Sequence, residues 1–142
     1  MEMAVSSLSG DHSSEPAVPA VLVVEDVVLV RMLLAEFLRA SGFEVMEASD
    51  GEEAIRIIER LPVRIVISDL HMPGAHVDGL GLARWIHGHR PDLKVILVSG
   101  VFSTLDPADA ALHDGPLLQK PFKPQDLARR LRSALGEAAP DP

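Results

Sequence analysis

At 142 residues the chain has room for one domain, and with no cysteine it holds no disulfide framework, thiolate zinc site or cysteine nucleophile. Acidic residues outnumber basic ones 21 to 13, a formal net charge of −8 that disfavours nucleic acid and anionic membrane surfaces as partners. No apolar run approaches the ~20 residues of a membrane span, and the first residues carry neither the basic nor the apolar region of a signal peptide.

Residues 1–19 are Ser-rich, carry Pro16 and Pro19 and show no period, which predicts a disordered tail. Ala20–Val24 is a short continuous apolar run and reads as a strand covered on both faces. A helix follows, with Val30, Leu33, Leu34, Phe37 and Leu38 at the spacing of one buried face and Gly42 placed to end it. Phe43–Ala48 is a more polar strand, hence nearer a sheet edge. The second helix presents Ala54, Ile57, Ile58 and Leu61, with a capping box from either Ser49 and Glu52 or Asp50 and Glu53, and stops at Pro62. Ile65–Ile67 is the third strand and Leu80–His87 the third helix. Val95–Val98 is the fourth strand, and Asp106–Leu112 a short fourth helix with Pro107 in its first turn. Leu117–Gln119 is a brief fifth strand. Pro124–Leu135 is the last helix, with Leu127, Leu131, Ala134 and Leu135 facing inward. Residues 137–142 read as a flexible end and 20–136 as the one folded unit.

Strand and helix alternate five times, which predicts an α/β fold with a parallel sheet and right-handed crossovers. Sites in such sheets lie outside the carboxyl ends of the strands. The residues there are Glu25 and Asp26 after the first strand, Asp69 after the third, Ser99 and Gly100 after the fourth, and Lys120-Pro121 after the fifth. Three clustered carboxylates repel one another unless a cation joins them, and hard oxygen ligands select a hard ion such as Mg²⁺. A carboxylate beside such an ion can act as a nucleophile toward phosphorus, with Mg²⁺ and Lys120 neutralising charge and Ser99 donating to a phosphoryl oxygen.

Val23-Val24-Glu25-Asp26, Ile67-Ser68-Asp69-Leu70-His71-Met72-Pro73 with Asp78-Gly79, Leu97-Val98-Ser99-Gly100 and Lys120-Pro121-Phe122 together resemble the receiver domain of two-component response regulators, over about residues 20–136. The resemblance implies a flavodoxin-like fold of strand order 2-1-3-4-5 and a stand-alone receiver without an output domain. It implies Asp69 as acceptor of a phosphoryl group from a histidine kinase or phosphotransfer protein, with Ser99 and Lys120 assisting. It implies Mg²⁺ held by Glu25, Asp26, Asp69 and the backbone carbonyl of His71, and a cis Lys120–Pro121 bond. A protein of this kind is expected to be cytoplasmic, a monomer or weak dimer, and no enzyme beyond its own phosphorylation and dephosphorylation.

Three positions depart from the family pattern. Glu25 stands where Asp is commonest. Gly74-Ala75-His76 lengthen the loop before Asp78-Gly79. Leu117 occupies the place of the aromatic that rotates on activation, so the change on phosphorylation is expected between Gly100 and Gly115 and in the loop Gly74–Val77. His76, His87, His89 and His113 have no zinc-site spacing and are expected to face solvent. The alternative function is a non-phosphorylated pseudo-receiver, a protein–protein adaptor. A flavodoxin-like cofactor binder or small phosphatase fits least, because Glu25-Asp26-Val27-Val28 after the first strand repels phosphate.

Overall fold

A computed structural model describes residues 20–100, 106–115 and 117–136. The segments read from sequence as a disordered tail (1–19) and a flexible end (137–142) lie outside the described residues, as do 101–105 of the expected switch region.

Five strands form one sheet: β1 (Ala20–Val24), β2 (Glu44–Ala48), β3 (Ile65–Asp69), β4 (Lys94–Ser99) and β5 (Leu118–Gln119). All pairings are parallel, and the order is β2-β1-β3-β4-β5, as expected. The more polar β2 is indeed an edge. Val24 pairs with Ser68, Asp69 with Val98, and Ser99 with Gln119, so the carboxyl ends of β1, β3, β4 and β5 share one rim.

Strand side chains alternate between two cores. Leu22, Val24, Val66, Val95 and Leu97 pack with α2 (Gly51–Arg60) and α3 (Gly79–His89) on one face. Val21, Val23, Ile65, Ile67, Ile96 and Val98 pack with α1 (Val28–Ala40) and α4 (Pro124–Ala134) on the other. With both faces covered, the inner strands are apolar along their central residues, with polar residues near their ends. Each fully buried Leu or Ile among them contributes about 1.5–3 kcal/mol against the entropy of ordering the chain. Among the described residues no helix is long and apolar enough to cross a membrane.

Three details differ from the sequence reading. In α1 the residues that meet the core are Ala35 and Leu38, with Leu34 and Phe37 partly buried, whereas Val30 and Leu33 are exposed. The apolar stretch is wider than the face the sheet can cover, so periodicity alone selects too many positions. Leu61, taken as part of the α2 face, lies beyond the helix and is exposed. The fourth helix is a 3-10 helix over Pro107–Leu112. Pro107 is in its first turn, and its N-terminus has no side-chain cap. Such i→i+3 turns persist only over short runs.

The α2 cap follows the second of the two boxes, with one change. Asp50 accepts from the Glu53 N–H at 2.9 Å, and Glu53 Oε1 accepts from both the N–H and hydroxyl of Ser49, at 2.8 and 2.9 Å.

The lengthened loop is built into the molecule. The Gly51 N–H donates to the Val77 carbonyl at 2.9 Å, joining the loop to the start of α2. The Asp78 carboxylate caps α3 by accepting from the Gly81 N–H at 2.9 Å. Gly79, the first residue of α3, lies against the backbone of Asp69: a Cβ there would stand 1.8 Å from the Asp69 carbonyl oxygen. That oxygen belongs to a central strand and cannot move aside. Gly79→Ala is therefore expected to cost about 3 kcal/mol or more in stability, read as a lower urea midpoint. A midpoint equal to that of the unmodified chain would contradict this packing.

Candidate functional site

Glu25 stands where β1 gives way to α1. Its N–H donates to the Ala48 carbonyl at 3.1 Å, continuing the β1–β2 ladder by one bond. Only 4% of the residue is exposed, so its carboxylate must be satisfied by the protein. Oε2 accepts from the Val27 N–H at 3.0 Å, serving an α1 N-terminus that has no cap from Val27 itself. Oε1 accepts from Lys120 Nζ at 3.2 Å. Asp26 follows and is exposed.

Asp69 ends β3 with its side chain 12% exposed. Lys120 Nζ lies 3.0 Å from one of its oxygens and 3.1 Å from the other. One ammonium therefore bridges the buried Glu25 carboxylate and the half-buried Asp69 carboxylate. Lys120 is carried there by the turn between β5 and α4, where the Lys120–Pro121 bond is cis as the resemblance implies. The Lys120 N–H donates to the Ser99 carbonyl at 2.9 Å. Ser99 is 2% exposed, and its buried hydroxyl has no hydrogen-bond partner among the described residues. A donor in that condition is an unmet demand worth about 1–3 kcal/mol. His71 is exposed in the loop after β3.

The charges do not balance inside the protein. Burial, then the neighbouring Glu25 carboxyl, push the Asp69 carboxyl up to about 7, although Lys120 pulls the other way. Burial would raise Glu25 as well, but its hydrogen bonds from Asp69, Val27 and Lys120 outweigh that and hold it below the ordinary range. Burial and the adjacent Glu25 raise Asp26. Desolvation would lower Lys120, yet the two carboxylates it bridges raise it. One cation among three carboxylates leaves the site short of positive charge.

Oxygens of Glu25, Asp26 and Asp69 lie within 4.8 Å of one another, a spacing at which one divalent cation can meet all three. The donor set is all oxygen, which suits Mg²⁺ and not a thiolate-seeking metal. Sequence reasoning gathered all of these side chains to one rim, and the structure brings Glu25, Asp26, Asp69, Ser99 and Lys120 together there.

It missed others. The role of Gly79 was readable only as part of an Asp-Gly pair. His113, expected to face solvent, is half-buried with a buried Nδ1 that has no partner among the described residues. On the outer face of α1, the helical period predicts burial for Val30 and Leu33 alone, and the structure exposes both. Val27, Val28, Leu29, Val30, Met32 and Leu33 are 41–64% exposed and form an apolar surface beginning two residues after Glu25. Contiguous exposed apolar surface of this kind marks interaction sites.

Comparison with known proteins gives a consistent picture. The response regulator receiver domain, as a sequence family, matches residues 21–132. The sensor kinase CckA of Brucella abortus is 40% identical over 121 residues, 81% of this chain and 12% of that protein. The transcriptional regulatory protein PdtaR of Mycobacterium tuberculosis is 38% identical over 126 residues, 86% of this chain and 60% of that protein. The chain thus spans less than two thirds of each of these relatives. The crystal structure of response regulator TrrA from Thermotoga maritima, in complex with Mg²⁺ and BeF, superposes with a TM-score of 0.72 at 30% identity, covering 81% of this chain and 97% of that one.

Proposed function

The chain belongs to the response regulator receiver family, and from that premise we propose that it accepts a phosphoryl group on Asp69 from a phosphohistidine of a histidine kinase or phosphotransfer protein. The observation that carries this reading is the bridging of Asp69 and Glu25 by Lys120 beside a buried Ser99 hydroxyl that has no partner among the described residues. A phosphoryl group on Asp69 supplies the acceptor that the Ser99 hydroxyl lacks and an oxygen to which Lys120 can donate.

In the transfer, an Asp69 oxygen forms a bond to phosphorus as the N–P bond of the donor breaks. The electron pair returns to the imidazole, which takes up a proton, and Asp69 becomes an acyl phosphate. Lys120 turns from the carboxylate to one phosphoryl oxygen, and the Ser99 hydroxyl donates to another. Glu25, Asp26 and Asp69 would hold Mg²⁺, with the His71 carbonyl as a further ligand. Bound there, the ion supplies the positive charge that three carboxylates and a phosphoryl group together require. The related TrrA was crystallised with Mg²⁺ and BeF. The chain acts here on itself, as a signalling module rather than a metabolic enzyme, and its location is the cytoplasm, where such donors present their phosphohistidine.

The donor must cover the rim to bring its imidazole to Asp69, and the apolar outer face of α1 borders that rim. Val28 and Met32, and Leu29 and Leu33, are each four residues apart, so they form one stripe along the helix. The donor therefore docks on this stripe. Leu29→Asp with Leu33→Asp is expected to lower transfer from a histidine-kinase core that labels the unmodified chain by about 10–100-fold, while labelling by acetyl phosphate stays unchanged. Equal losses with both donors would place the damage in the site and not in docking.

A further inference from the structure

The chemistry above leaves Arg31 unused, yet its guanidinium stands at the edge of the acidic segment. From the first turn of α1 it reaches back across six residues, and Nη1 donates to the Glu25 carbonyl at 2.8 Å. Nε lies 3.4 Å from Glu47 Oε1 on β2, and the Arg31 side chain is 16% exposed. Glu47 is held in turn: Arg39 Nη2 is 3.2 Å from its Oε2 and also donates to the Val45 carbonyl at 2.9 Å. The Glu25 N–H is bonded to Ala48, the last residue of the same strand. Both peptide groups flanking the Glu25 Cα are thus referenced to β2, one by a direct bond and one through Arg31 and Glu47.

That matters because Glu25 and Asp26 are adjacent carboxylates that repel each other. The Glu25 carbonyl and the Asp26 N–H belong to one rigid peptide plane. Fixing the carbonyl fixes that plane, and with it the place of the Asp26 Cα from which its side chain projects.

Resting on the phosphoacceptor reading of the site, we propose that Arg31 is a positioning residue: anchored by Glu47, it locks the Glu25–Asp26 peptide and holds the two carboxylates where a divalent cation requires them.

A purely electrostatic role predicts the opposite sign. A guanidinium near a cation site repels the cation, so its removal would tighten binding. Loss of positioning weakens binding, typically by about 10–100-fold when a group supporting the ligands is removed.

The test is calorimetric titration of MgCl₂ into the full chain. Arg31→Met keeps the apolar stem and loses both contacts; its Mg²⁺ affinity should fall about tenfold or more. Arg31→Met with Glu47→Gln leaves the net charge unchanged and should show the same loss. Arg31→Lys keeps the charge, but one ammonium cannot span both partners, so it should fall between. In labelling by acetyl phosphate, the Mg²⁺ concentration for half-maximal rate should rise in parallel, while the rate at saturating Mg²⁺ returns close to that of the unmodified chain. Unchanged or tighter Mg²⁺ binding in Arg31→Met, with normal binding by the unmodified chain, overturns the proposal and leaves the phosphoacceptor reading intact. If the unmodified chain binds no Mg²⁺, both fall. Should Arg31→Met fail to fold, Arg31→Lys decides, since its charge is unaltered.

Discussion

Asp69→Asn is expected to melt higher than the unmodified chain in metal-free buffer, by a margin that grows with pH. Burial and Glu25 raise the Asp69 carboxyl to about 7 in the folded chain, against an ordinary value of 3.8. Between these values the folded chain holds a proton that the unfolded chain has released. Unfolding then releases a proton, so stability falls as pH rises from about 4 through 7. Asparagine keeps the shape and an acceptor for Lys120 but has no proton to lose. At pH 8 the gap should approach about 2 kcal/mol, or ~6 °C for a domain of this size, and at pH 4 it should nearly close. Mg²⁺ should reverse the order. It stabilises the form that binds it by mass action, about 2.7 kcal/mol at a hundred times Kd, and Asp69→Asn removes one of its carboxylates. Because protons compete for Asp69, the apparent Mg²⁺ affinity should weaken as pH drops below 7. A gap independent of pH would show that Asp69 is an ordinary carboxylate.

Ser99→Ala and Lys120→Met are expected to separate stability from chemistry. The Ser99 hydroxyl is buried without a partner among the described residues, so its removal should leave the unphosphorylated chain as stable as before or up to about 1 kcal/mol more so. The same change should slow labelling by acetyl phosphate about 100-fold, because a donor aimed at the transferring group is lost. Lys120→Met should slow it at least as much. It should also make the metal-free chain less stable toward high pH, where Glu25 and Asp69 are left ionised without their shared cation. That loss is moderated by solvent, since the Lys120 side chain is 38% exposed. If Ser99→Ala both folds normally and labels at the full rate, the hydroxyl has no part in the transfer.

These side chains were legible in the sequence because each stands at or just past the carboxyl end of a strand, and a parallel sheet sends those ends to the same rim. The full order of strands rested on the family resemblance, while the residue pattern itself marked polar β2 as lying near an edge and the apolar runs as covered on both faces. What escaped depends on which neighbour a residue meets. Val30 and Leu33 fit the helical period as well as Leu34 and Leu38 do, and only the width of the sheet decides which face is covered. Arg31 sits among apolar residues with no local mark of its task, since its partners come from β2 and from the turn before its own helix. Gly79 looks like any glycine after an Asp until α3 is laid against the Asp69 carbonyl. The 3-10 geometry over Pro107–Leu112 was foreshadowed only by Pro107 and the shortness of the segment. Leu117, in place of the aromatic that rotates in the family, packs partly into the core on the α2 and α3 side. It offers no polar tip to turn toward solvent.

The most direct measurement is the intact mass of the chain after incubation with acetyl phosphate and Mg²⁺, followed by borohydride trapping and peptide mapping. The unmodified chain should gain the mass of one phosphoryl group, lost on chelation of the metal during incubation, and the trapped residue should be Asp69. Asp69→Asn should gain nothing. A chain that gains no phosphoryl group while still binding Mg²⁺, or a gain that persists in Asp69→Asn, would contradict the assignment; the first result would instead favour a receiver fold used only as an adaptor.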